Sequence, residues 1–111
     1  MSEVKTPPVS ARHIPDKSEF QQDFCTGRVP GSFRVDEPDS DGEQTFWYVC
    51  PCGCGSLGPL TVGKGFKPDN MKGTIATWNW NGSLDKPTLQ PSVHHRGHWH
   101  GWLTDGVWRS C

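Results

Sequence analysis

Nowhere in these 111 residues is there an apolar run long enough to span a bilayer. The first twenty, MSEVKTPPVSARHIPDKSEF, also lack the apolar centre of a secretory leader, so a soluble, non-secreted protein without membrane contact is expected. Neither sign of charge is in excess: 11 basic residues face 12 acidic ones, and no basic run stands out. That balance removes the footprint of a nucleic-acid binder. Leu, Ile, Val and Phe together number only 20, so the core of this single domain is lean and would gain from a covalent or metal staple. Helical periodicity is missing as well, and 13 glycines with 10 prolines favour short strands joined by turns.

What the chain does have is six tryptophans, each able to bury on the order of 200 Å². From about residue 31 the apolar pattern has a period of two. TFWYVC (45–50), GPLTVG (58–63) and TIATWNWN (74–81) read as strands, and PTLQPSV (87–93) as an extended edge or loop because of its two prolines. HWHGWLTDGVWRSC (98–111) reads as a hairpin around Asp105-Gly106. The expected fold is all-β: a small single-domain sandwich or rolled antiparallel sheet stapled by a metal. It occupies residues 31–111, behind an extended N-terminal arm over 1–30 that is either disordered or laid along a partner.

The densest chemistry lies in CPCGCG (50–55). An odd cysteine count with three thiols clustered points to metal ligands rather than a disulfide framework. In an extended strand, alternate side chains stand roughly 6.5 Å apart. Sulfurs sharing a tetrahedral zinc need about 3.7 Å. The backbone must therefore fold back, with Pro51 fixing one φ and Gly53 and Gly55 free to take positive φ. This resembles a zinc knuckle with altered spacing, expected to use two of Cys50, Cys52 and Cys54, or all three.

One turn cannot complete the shell. Four of five histidines, His94, His95, His98 and His100, fall within seven residues, and Cys111 follows. A type I′ turn at Asp105-Gly106 pairs Thr104 with Val107, Leu103 with Trp108, Trp102 with Arg109 and Gly101 with Ser110. The next pair is His100 opposite Cys111. Trp99, Leu103 and Trp108 then form the apolar face. The expected zinc ligands are accordingly Cys50, Cys52, Cys54, His100 and Cys111, with His98 as substitute. Cys25 reads as a plain thiol and His13 as a solvated side chain of the arm.

Three look-alikes are set aside. EPDSDG (37–42) begins like a calcium loop, but Tyr48 stands where the closing Glu is required. GPLTVGKG (58–65) offers Gly65 where a phosphate loop needs Ser or Thr. HWHG (98–101) resembles the first copper motif of multicopper oxidases without their other histidine pairs.

Across roughly residues 46–111, the order CPCGCG, TWNWNG, PTLQPSV and HGWLTDG…C resembles a family of small phage and bacterial proteins of unknown function. Some members carry an ammonia monooxygenase label, which nothing in these residues supports. The resemblance marks Cys50, Cys52, Cys54 and His100 as metal-site positions, while Trp99 stands where the family's cysteine is expected. Two functions follow as expectations. The first is a zinc-stapled phage module that binds a protein partner, in a virion or the host cytoplasm. The second is a zinc-dependent hydrolase using His94, His95 or His98 around an open site. A closed, structural site is favoured, because no carboxylate accompanies the histidines except Asp105, which the turn explains.

Overall fold

A computed structural model describes residues 5–20, 28–69 and 76–111. The fold is all-β with one short helix, as the period-two pattern predicts. Its strands are β1 (Val9–Ser10), β2 (Arg12–His13), β3 (Ser32–Val35), β4 (Glu43–Val49), β5 (Leu57–Lys64), β6 (Thr77–Trp80), β7 (Leu89–Gln90), β8 (Val93–His95), β9 (Trp99–Thr104) and β10 (Val107–Ser110). They form a six-stranded sheet in the order β2-β3-β4-β5-β6-β7 and a four-stranded sheet in the order β1-β10-β9-β8. The pairing is not wholly antiparallel, since β2–β3 and β5–β6 run parallel. The latter pair is reached by a crossover of about a dozen residues, the length that parallel neighbours require. Residues 74 and 75 of the expected TIATWNWN strand, and Cys25, lie outside the described residues.

The inner faces of the two sheets meet in one core. Phe33, Phe46, Tyr48, Leu60, Val62 and Trp80 come from the larger sheet; Val93, Trp99, Leu103 and Trp108 come from the smaller. Trp99 and Trp108 meet edge to face at 5.7 Å, an arrangement that suits their ring quadrupoles. The closing hairpin has the expected register from Val107↔Thr104 to Ser110↔Gly101. Cys111 N–H then donates to His100 C=O at 3.0 Å. Asp105 (φ 49°) and Gly106 (φ 77°) are both left-handed, as a type I′ turn demands.

The arm folds onto its own domain. β1 adds to β10 in one sheet and β2 to β3 in the other, so residues 9–13 clasp both sheets at once. A helix that period-two reading passes over, α1 (Lys17–Phe20), follows immediately. Asp16 caps it: Glu19 N–H donates to its Oδ1 at 2.8 Å. The helix buries Phe20 with Ile14 and Val49, covering the outer face of β4 beside Trp47 and Leu57. His13 is not simply solvated. It is half-buried with its ring 5.3 Å from Phe33, and burial holds its pKa below the usual value. Among the described residues, no helix is long and apolar enough to cross a membrane.

Candidate functional site

Chemistry gathers on the two faces of the β8–β9 hairpin. Its register, Val93↔Gly101, His94↔His100 and His95↔Trp99, sends His95 inward with Trp99 and turns His94 and His100 outward. Ser92, one residue before β8, has the parity of His94 and lies diagonal to His100. Sequence neighbours therefore part into two sites.

The inner site faces the β4–β5 turn. Gly53 (φ 89°) and Gly55 (φ 83°) fold CPCGCG back on itself, and Gly53 N–H donates to Cys50 C=O at 3.2 Å. Cys50 N–H donates to Ser56 C=O at 2.9 Å, closing the loop. The sulfurs of Cys50, Cys52 and Cys54 consequently lie within 4.8 Å of one another, Cys50 Sγ and Cys52 Sγ being 3.3 Å apart. Ring nitrogens of His95 and His98 lie within the same 4.8 Å of Cys54 Sγ and of each other. These cysteines, with histidine, could hold a metal ion. Tyr48 connects the two sheets here. Its ring lies across Gly58, its partner in β5, and its hydroxyl is 2.8 Å from His95 Nδ1.

Electrostatics grade these groups. Burial pushes the Cys50 thiol up, although a backbone hydrogen bond opposes the shift. Burial also raises Cys54, but hydrogen bonds from Ser56 and the neighbouring thiols outweigh it and leave Cys54 below its usual value. Tyr48 is raised by burial and by the charges of Cys50 and Cys54, so its phenol keeps its proton. His95 is lowered by burial and by the positive charges of His98 and His94, which favours the neutral imidazole.

His100 and Cys111 do not join the inner site. His100 is one residue out of phase with Trp99, whose side chain fills the core, so its imidazole leaves by the opposite face. Cys111 is exposed and paired with the backbone of that same His100. The expected adjacency of His100 and Cys111 holds, but on the face away from the knuckle. His98 does reach the knuckle, from the turn.

On the outer face, Ser92 Oγ and His100 Nε2 are 3.1 Å apart, within reach for a nucleophile and its base. The His94 ring packs against His100 at 4.7 Å and limits its rotation. Both Ser92 and His100 are half-buried, and Ser92 C=O accepts from Trp78 Nε1–H at 3.1 Å. Among the described residues, no Asp or Glu side chain pairs with His100. An open groove of ≈ 470 Å³ runs beside the pair, lined by Lys67, Asn79, Gln90, Pro91 and Trp102. Pro91 precedes Ser92 in the chain, and Trp102 stands opposite it across the hairpin.

Ser92 is the candidate residue that the sequence reading does not single out. It stands in the PTLQPSV stretch, but its relation to His100 appears only once β8 is recognised as a strand. A short strand VHH directly after Pro-Ser was the available signal.

Residues 17–111 match the model of the family described as bacterial ubiquitination-like system serine protease (BubE). The chain belongs to that family. Of the expected family of small phage and bacterial proteins the match supports the bacterial part; it supports neither a phage origin nor the ammonia monooxygenase label, and it begins well before residue 46. It also overturns the reading of a phage interaction module, since the family is named for a protease. Of the two readings from sequence, the hydrolase is the nearer. No curated protein and no solved structure gives a match to this chain.

Proposed function

We propose that this chain is a serine peptidase acting within a bacterial ubiquitination-like system, with Ser92 as nucleophile and His100 as general base. The observation that carries this reading is the 3.1 Å Ser92 Oγ–His100 Nε2 contact beside an open groove, in a family named for a serine protease.

The chemistry follows from the pair. Ser92 Oγ attacks the scissile carbonyl carbon while its proton passes to His100 Nε2. Collapse of the tetrahedral intermediate breaks the C–N bond, and the imidazolium returns that proton to the leaving amine. An acyl ester on Ser92 remains. Water then attacks it, with His100 taking one proton and giving it back to Ser92 Oγ as the acid product leaves. His94 holds the His100 ring in place, and the groove receives the substrate chain. The thiol-rich inner site suits zinc, whose preferences are thiolate and imidazole, and no step of this reaction passes through it.

The test combines a covalent probe with two variants. A fluorophosphonate should add once, at Ser92, as located by peptide mass spectrometry. Against a mixed peptide library, Ser92→Ala and His100→Ala should each lower kcat by about 10³-fold or more, with unchanged circular dichroism. Retained cleavage by folded Ser92→Ala would overturn the assignment.

A further inference from the structure

We propose that the knuckle and the β8–β9 turn together hold one zinc ion, through the thiolates of Cys50, Cys52 and Cys54 and Nε2 of His95, and that this ion fixes the hairpin carrying Ser92 and His100. The second half rests on the peptidase reading; the first does not.

Two groups of donors that share Cys54 are in place before any ion arrives: Cys50, Cys52 and Cys54, and Cys54 with His95 and His98. Two left-handed glycines bring three sulfurs within 4.8 Å of one another, and the 3.3 Å between Cys50 Sγ and Cys52 Sγ is close to the roughly 3.7 Å between sulfurs on tetrahedral zinc. Cys50, Cys52 and Cys54 are all free thiols, so no disulfide accounts for their convergence. The fourth donor comes from the other sheet. His95 Nδ1 is engaged by the Tyr48 hydroxyl, so Nε2 is the nitrogen left to a metal, and the ring is already oriented. Such a hydrogen bond on the second ring nitrogen is what metal-binding histidines ordinarily have. Three thiolates and one imidazole close a tetrahedral shell of soft and borderline donors, which selects zinc over calcium or magnesium. His98 lies as near to Cys54 as His95 does but is exposed, whereas His95 is half-buried and oriented by Tyr48, so His95 is assigned as the ligand.

The consequence for the outer face follows from topology. β8 is three residues long and, among the described residues, lies at the edge of its sheet and pairs only with β9. β8 ends on His95 and the turn after it carries His98, whose N–H donates to His95 C=O at 2.9 Å. A metal bond from His95 to the knuckle ties that turn to the β4–β5 end of the larger sheet. Ser92 and His100 flank the same hairpin, so the ion sets the spacing of the pair without touching it. Misplacing a catalytic group by about 1 Å costs about 10²-fold in rate.

Metal content is read in the Ser92→Ala background, where cleavage plays no part. About one zinc per chain is expected there. Adding Cys54→Ser or His95→Ala should reduce it below about one-tenth, the same order as removing a ligand's supporting contact. His98→Ala should keep the metal. Metal-free protein, or loss on His98→Ala with retention on His95→Ala, overturns the assignment. Should the variants not fold, cobalt exchange into the Ser92→Ala protein decides: a thiolate-to-cobalt charge-transfer band is expected, and its absence overturns the site.

For the tether, hydrogen exchange of the Ser92→Ala protein is compared before and after chelation. Amides from Val93 to Trp102 should lose protection, and unchanged protection overturns the tether. In zinc-loaded wild type, chelation should slow fluorophosphonate addition at Ser92 about 10²-fold. If loaded protein never reacts, the peptidase reading fails while the metal and exchange results stand.

Discussion

Tyr48 Oη and His95 Nδ1 are 2.8 Å apart, and this contact joins the two sheets at the thiol cluster. The tyrosine reaches it because its β5 partner is Gly58, over which the ring lies. A side chain at position 58 would occupy the space of that ring. One backbone position in β5 thus governs an imidazole in β8.

Tyr48→Phe keeps the ring and removes the hydroxyl. The loss of one hydrogen bond should cost about 1 kcal/mol, read as a fall in Tm of about 4–8 °C for a domain of this size. Because the bond also orients His95, zinc affinity should drop about 10- to 100-fold, measured by chelator competition. An unchanged affinity would show that His95 does not depend on Tyr48.

Gly58→Val should be worse than Tyr48→Phe. Its side chain meets the Tyr48 ring directly, so the ring must move rather than lose one atom. Overpacking of this kind costs about 1–3 kcal/mol. The double variant Gly58→Val with Tyr48→Ala should lose less stability in urea melts than the sum of the two single variants' losses. Simple additivity would place the strain elsewhere.

The fold was largely legible because strand parity is written in the chain. Strand parity puts Trp99, Leu103 and Trp108 on one face, and Asp105-Gly106 fixes the register, so the hairpin could be drawn residue by residue. The same parity rule located the error in the site. Pairing His100 with Cys111 was right, but Trp99 had already claimed the inner face, which left His100 outside. His95 was not placed because VHH is a strand of only three residues whose pairing depends on β9. Helix α1 carried a readable sign in Asp16-Lys17-Ser18-Glu19, an acid cap with Glu three residues on, yet four residues give no periodicity to detect. Both edge strands of the arm, β1 and β2, are two residues long and owe their form to the sheets they join.

Acid should weaken the arm's grip. Burial lowers His13 below its ordinary value of 6.5, so the folded state holds this imidazole neutral more strongly than the unfolded chain does. Between those two values the unfolded chain binds more protons, and stability therefore rises with pH. The contribution is fully present above 6.5 and is lost as pH falls toward the lower, folded value. Melting temperatures at about pH 7.5 and about pH 5.5 should differ less in His13→Phe than in wild type. An identical difference in both proteins would acquit His13.

Trp102 tests the groove. It is 45% exposed and faces outward on β9, whereas Trp99 and Trp108 are fully buried. Its indole lines the groove with Pro91, the residue before Ser92, so under the proposed peptidase function it would meet a substrate chain close to the scissile bond. Trp102 belongs to neither buried cluster, so removing it should change stability by no more than about 0.5 kcal/mol. Removing an aromatic anchor from a binding surface costs about 2 kcal/mol, which is about thirtyfold. Trp102→Ala should therefore lower kcat/KM for peptide cleavage by about that factor, mainly through KM, while Tm stays within a few degrees of wild type. Fluorophosphonate addition at Ser92 should be unaffected, because the probe does not need the groove. A variant that cleaves peptides as well as wild type would place the substrate on another face of the hairpin.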